Sequence, residues 1–224
     1  MFQSIFNFLV VTDAESGSYY PTTAGNVALF VVIALLFIAM FAYGGSGKRK
    51  ANAKQLAFSA VAVALSVIAS IFTVFNLPFG GSITLFRMFF ICLIGYLYGT
   101  RSGILAGIAC GFLDLILKPY VVHPVQLLID YPIAFGCLGL SGIFAKSKFG
   151  LFKGYIIGVF GRYICHVLSG VIFFSMYAGN QQPMIYSIGY NATYIVPEAA
   201  VTLIILALPP VQAALIEIKR QVAE

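Results

Sequence analysis

Long, almost uninterrupted apolar runs constrain this chain more than any motif it carries. A helix that crosses a bilayer needs about 20 largely apolar residues. On that ruler the sequence divides into seven candidate spans at approximately 26–43, 55–77, 83–99, 103–118, 125–145, 151–176 and 192–216. The chain is 61% hydrophobic and only 9% charged, against about 45–50% and about 25% in ordinary soluble domains. A soluble enzyme, a disordered chain and a nucleic-acid module are excluded on that ground. Period-two alternation in runs of about ten residues, the mark of a membrane β-barrel, is not present. The fold class expected is an all-α polytopic membrane protein.

The charges then orient the spans. Basic residues near span ends are retained on the cytoplasmic side. Lys48, Arg49, Lys50 and Lys54 follow span one, Arg101 follows span three, Lys146, Lys148 and Lys153 follow span five, and Lys219 and Arg220 follow span seven. Ten of the thirteen basic residues thus fall on one side, while the stretches around 80–82 and 177–190 are uncharged. The expected topology is an outer amino terminus and a cytoplasmic carboxyl terminus, in the cell membrane. Gly44–Gly47, followed by Lys48-Arg49-Lys50, reads as a hinge between an accessory helix and a six-helix bundle. The expected organisation is 1–50 for the amino-terminal segment with its extra helix and basic linker, 51–218 for the bundle, and 219–224 for a cytoplasmic tail.

Cys92, Cys110, Cys137 and Cys165 each sit inside an apolar run with no short paired spacing. Neither a disulfide framework nor a metal site is expected. The segment Met1–Val11 has no basic leading region and no clear cleavage site, so it is not read as a cleaved signal peptide. No phosphate-binding glycine loop occurs, no cofactor is expected, and any ATP hydrolysis must come from other chains.

Ionisable groups within spans cost at least ~2.5–3.5 kcal/mol each, so each needs a reason to be there. Arg87, Asp114, Asp130, Arg162, His166 and Glu198 are the cases. Arg162 with Glu198 or Asp114 makes a structural ion pair on this reading, and Asp130 has Arg162 or Arg87 as an alternative partner. Arg162, His166, Gly170 and Phe174 recur every four residues and so form one helical stripe. Such a stripe is either one wall of a site for a polar aromatic ligand or a helix seam closed over Gly170. Asp130-Tyr131-Pro132 joins a carboxylate to an aromatic face and suits a cation. The uncharged, tyrosine-rich stretch Tyr186–Tyr194 reads as an outer loop forming a lid or rim, with a tyrosine belt at the membrane interface as the alternative. Ala53, Ala57, Ala60 and Ala64 make a small-residue face suited to close helix packing.

These residues resemble a known family, the thiamine-specific S-component of energy-coupling factor (ECF) vitamin transporters. The resemblance covers about 53–212 and rests on the runs 80–84, 120–135, 161–170 and 186–191. It implies a six-helix S-component-like bundle, here preceded by one extra transmembrane helix to give seven spans. It also implies a substrate-capture subunit without enzymatic activity, which binds thiamine near the outer face. The implied partners are a transmembrane ECF coupling protein and two cytoplasmic ATPase subunits. Asp130 then faces the thiazolium cation, Tyr131 and His166 contact the rings, Gly170 makes room, and Phe174 stacks. Tyr186 and Asn191 add polar contacts, while Ala60 and Ala64 match the motif that packs against the coupling protein. Position 130 is often Glu and position 174 often Trp in the family, whereas this chain has Asp and Phe there and no tryptophan at all. The alternatives are an S-component for another aromatic vitamin or pyrimidine precursor, and an intramembrane enzyme using His166 with Asp130 or Glu198.

Overall fold

The expected spans beyond residue 50 become helices, five of them long and apolar enough to cross a membrane. The computed structural model describes residues 8, 10–12, 19–25, 27, 31 and 53–223. The expected first span at 26–43 lies outside these but for two positions. In chain order the helical segments are α1 (Ala53–Ile71), α2 (Arg87–Tyr98), α3 (Thr100–Leu117), α4 (Pro124–Phe144), α5 (Gly150–Phe173), α6 (Pro183–Ala207) and α7 (Pro209–Ala223). Between α1 and α2, Phe75–Asn76 pairs antiparallel with Ser82–Ile83 around a short turn.

Helices are expected here because a bilayer offers backbone groups no water, so each segment must bond internally. α4 departs from regularity for a reason written in its sequence. Pro132 lacks an N–H and crowds the preceding turn. Ile129–Ile133 widens into a π-helix, and Leu138–Phe144 tightens into a 3-10 helix. That widened turn carries Asp130 and Tyr131.

A glycine stripe fixes α4 against α3. A Cβ at Gly103 would lie 2.7 Å from the Gly139 Cα, one at Gly107 2.2 Å from the Phe135 oxygen, and one at Gly111 2.5 Å from the Tyr131 oxygen. Each step of four along α3 meets a step of four back along α4, so the backbones touch where any side chain would part them. Phe135, Leu138, Ile91, Ile94, Leu151 and Tyr155 fill the core beside this seam.

α6 differs from its expected position. The span read as 192–216 is a helix over Pro183–Ala207, and the stretch Tyr186–Tyr194, read as an outer loop, lies inside it. Proline suits the first helical position at Pro183. At the other end Leu208 turns extended before Pro209, and α7 begins. α7 crosses the far end of the bundle: Lys219 donates to the Ala145 carbonyl and lies 4.4 Å from the Tyr96 ring centroid, and Lys54 donates to the Gln221 carbonyl at 2.8 Å. The expected tail at 219–224 is therefore helical through Ala223.

Candidate ligand-binding site

The ends of α1, α3 and α5 meet the starts of α2, α4 and α6 at one side of the bundle. There they enclose a cavity of about 480 Å³, within the range of about 300–1,000 Å³ usual for small-molecule sites. Asp130, Tyr131, His166, Gly170, Phe174, Tyr186 and Asn191 all line it, although they come from three separate helices and, for Phe174, the residue that closes α5.

Asp130 is the most heavily bonded of them. One carboxylate oxygen lies 3.1 Å from His166 Nδ1, and the other accepts from Gln126 Nε2 at 2.7 Å and from Ser169 Oγ at 2.8 Å. The π-helical turn brings the carboxylate onto the α5 stripe, which makes His166 and Ser169 its neighbours. With the Nδ1 proton turned to Asp130, His166 Nε2 is an acceptor. Among the described residues that nitrogen is buried without a hydrogen-bond partner. Gln126 also donates to the Tyr120 carbonyl at 3.1 Å and accepts from the Val122 N–H at 3.1 Å, tying the site to the loop before α4.

The expected ion pairs rearrange. Asp114 pairs with Arg87 at 2.5 Å, not with Arg162. Glu198 accepts from Thr84 Oγ1 at 2.6 Å and from the Met88 N–H at 3.0 Å. It thereby satisfies an orphan donor at the start of α2, where a left-handed Phe86 provides no side-chain cap. Asp130 takes neither arginine. Among the described residues no carboxylate pairs with Arg162. Its guanidinium lies 3.9 Å from the Phe135 ring centroid, and Nε and Nη1 have no hydrogen-bond partner among the described residues. Beyond α3, burial lowers the pKa of the Lys118 ammonium at the cavity wall, and the Arg87 charge adds to that shift.

Other expected residues are already engaged within the protein. The Tyr131 hydroxyl accepts from the Tyr120 N–H at 2.8 Å and donates to the Lys118 carbonyl at 2.9 Å. Asn191 Nδ2 donates to the Ser187 carbonyl at 2.9 Å, and Asn191 Oδ1 accepts from the Tyr194 hydroxyl at 2.5 Å. The space a Gly170 side chain would need is taken by Ser187 Oγ, 2.1 Å from the Cβ position. Phe174 is stacked between Tyr120 and Tyr177, with centroids 5.9 and 6.1 Å away. Tyr186 stacks on Tyr190 at 5.9 Å, and the Tyr190 hydroxyl donates to the Pro78 carbonyl and accepts from the Gly81 N–H. Ala60 and Ala64 are exposed on the outward side of α1, away from the cavity.

Sequence reasoning left out Gln126, Ser169 and Tyr120. A signal existed for the first two: Gln126 lies four residues before Asp130 and Ser169 three after His166, each one helical turn away.

The family model described as "Thiamine transporter protein" matches residues 56–217. The chain belongs to the thiamine transporter family. The chain is 36% identical over 165 residues to the thiamine transporter ThiT of Bacillus subtilis (strain 168), covering 67% of this chain and 84% of that relative. A ThiT of Lacticaseibacillus paracasei is 39% identical over 90 residues, covering 33% and 45%. A solved structure of ThiT from Listeria monocytogenes superposes with a TM-score of 0.59 at 24% identity, covering 70% of this chain and 94% of that one. This last likeness speaks for the fold alone. The thiamine transporter family region takes in most of α1, all of α2 to α6, the first part of α7 and every cavity residue named above, and the expected extra helix at 26–43 lies before it.

Proposed function

We propose that this protein is the thiamine-specific S-component of an ECF transporter, capturing thiamine from outside the cell in the cavity lined by Asp130 and His166. One observation carries the reading: in a thiamine transporter family member, a carboxylate held by an imidazole, an amide and a hydroxyl sits among aromatic rings in a cavity of about 480 Å³. Thiamine is a permanent cation bearing two flat heterocycles. Asp130 offsets the thiazolium charge, the aromatic faces cover the rings, and His166 Nε2 accepts a hydrogen bond from the aminopyrimidine. Each cation–π contact contributes about 0.5–2 kcal/mol, whereas nanomolar capture requires about 12 kcal/mol. Binding is therefore shared across the cavity wall. Carboxylate and imidazole hold the ligand, and no bond in it is broken.

Delivery inward requires the ECF coupling protein and two ATPase subunits. Exposed Ala60 and Ala64 on α1 supply the face on which the coupling helix packs. The cavity lies at the end of the bundle opposite Lys146, Lys148, Lys153 and Lys219, which supports an outward-facing site and a cytoplasmic carboxyl terminus.

Isothermal titration calorimetry on the purified chain tests the site. The wild type is expected to bind thiamine, with affinity falling about 100-fold or more in Asp130→Ala, the loss typical of removing a buried, hydrogen-bonded charge. His166→Ala is expected to lose about tenfold. Unchanged binding in both would refute the assignment. Preference for the isolated pyrimidine over thiamine would instead select the precursor-transporter reading.

A further inference from the structure

The α4–α5 seam that joins Asp130 to His166 holds a second pair of side chains, which ligand capture does not use. Cys137 on α4 and Cys165 on α5 place their sulfurs 3.8 Å apart. Both are partly exposed, whereas Cys92 and Cys110 are fully buried. Gly161 makes the approach possible: a Cβ there would lie 3.0 Å from the Cys137 Cβ, so no side chain at that position separates α4 from α5. The two thiols thus sit on neighbouring helices with room to meet, one residue from His166 along α5 and two helical turns from Asp130 along α4.

We infer that Cys137 and Cys165 are an oxidisable dithiol that closes to an intramolecular disulfide, stapling α4 to α5 beside the Asp130–His166 pair. Closure brings the sulfurs from 3.8 Å to the ~2.05 Å of a disulfide. The oxidants that reach this site are uncharged two-electron acceptors soluble in the bilayer, of the azo or quinone class. With an azo compound, one thiol sulfur adds to a nitrogen of the N=N bond and its proton passes to the other nitrogen. The second sulfur attacks the first, the S–N bond breaks, and the departing nitrogen takes the second proton. Two thiols lose two electrons and two protons, and the azo group becomes a hydrazine. The product closes the chain segment between residues 137 and 165 into a loop across the seam.

The experiment uses the full chain in membrane vesicles, treated with diamide, denatured in detergent and alkylated with N-ethylmaleimide before peptide mass spectrometry. Two alkylated cysteines per chain, Cys92 and Cys110, are expected after oxidation, together with a Cys137–Cys165 cross-linked peptide and recovery of all four thiols on reduction. Cys137→Ser and Cys165→Ala should each keep their three remaining thiols alkylatable under the same treatment. The oxidised wild type should melt about 5 °C higher than the reduced form, the size of shift expected for a loop closed by a disulfide. Four alkylated cysteines after diamide, a disulfide through Cys92 or Cys110, or cross-linking between chains in place of the internal bond would each overturn the inference.

Discussion

At the scale of single residues, the site is a carboxylate whose surroundings do more than its own length. Asp130 is a short carboxylate, yet Gln126, Ser169 and His166 all reach it at 2.7–3.1 Å. A carboxylate with three partners is held in place, and on the proposed function it meets the thiazolium cation from its open side. Ser169→Ala removes one charge-assisted bond, worth about 1.5–3 kcal/mol. A loss of thiamine affinity of roughly tenfold is expected by calorimetry, with the fold intact by circular dichroism. Gln126→Leu is expected to lose more, because its amide also binds the Tyr120 carbonyl and the Val122 N–H. An equal loss in the two variants would count against that linking role. The sequence singled out Asp130 and His166 because charge in an apolar run needs a reason, and the fold brings both to the cavity wall. Gln126 and Ser169 left only their spacing of one helical turn from Asp130 and His166 as a signal, since uncharged polar side chains in a span draw little attention until a partner is seen. Arg162 was misread for the opposite cause: its charge suggested a carboxylate partner, whereas the Phe135 ring face lies beneath it.

Among the helices, the seams decide where those residues stand. Gly103, Gly107 and Gly111 let the α3 backbone touch α4 at the turn that carries Tyr131 and Phe135. Gly107→Val forces side-chain atoms into the space next to the Phe135 carbonyl, where a Cβ alone would be 2.2 Å away. Overpacking of this kind costs typically about 1–3 kcal/mol. The variant is expected to melt several degrees lower in detergent and to bind thiamine more weakly, since α4 must move with Asp130 on it. Hydropathy located these spans because lipid-facing surfaces must be apolar. The same logic misplaced α6. Its first turns carry Tyr186, Ser187, Tyr190 and Asn191, which line the cavity, so that stretch resembles a loop on a hydropathy scale although it is helical. The scale instead favoured the stretch beyond Ala207, where Pro209 ends the span. An outward face is tested differently. Ala60→Leu with Ala64→Leu on exposed α1 positions should leave thiamine binding within about twofold and abolish uptake in cells. Loss of binding would place those alanines in the bundle's own packing.

Across the whole molecule, polarity is divided between two ends. One end gathers the cavity, the Phe75–Asn76 and Ser82–Ile83 hairpin, and the stacked rings of Tyr120, Phe174 and Tyr177. The other gathers Arg101, Lys146, Lys148, Lys153 and α7, whose Lys219 docks on Ala145. On the proposed function, the basic residues lie on the cytoplasmic side and the cavity faces outward to capture the vitamin. Cysteine substitution with an impermeant maleimide separates the ends. Lys148→Cys and Gly179→Cys are both exposed, and neither native partly exposed cysteine lies near an end of its helix. In right-side-out vesicles Gly179→Cys should label and Lys148→Cys should not; inverted vesicles should reverse the pattern. The opposite result would turn the cavity toward the cytoplasm. Capture would then have to occur from inside, and the S-component reading would fail with the orientation, even if thiamine still bound to the purified chain.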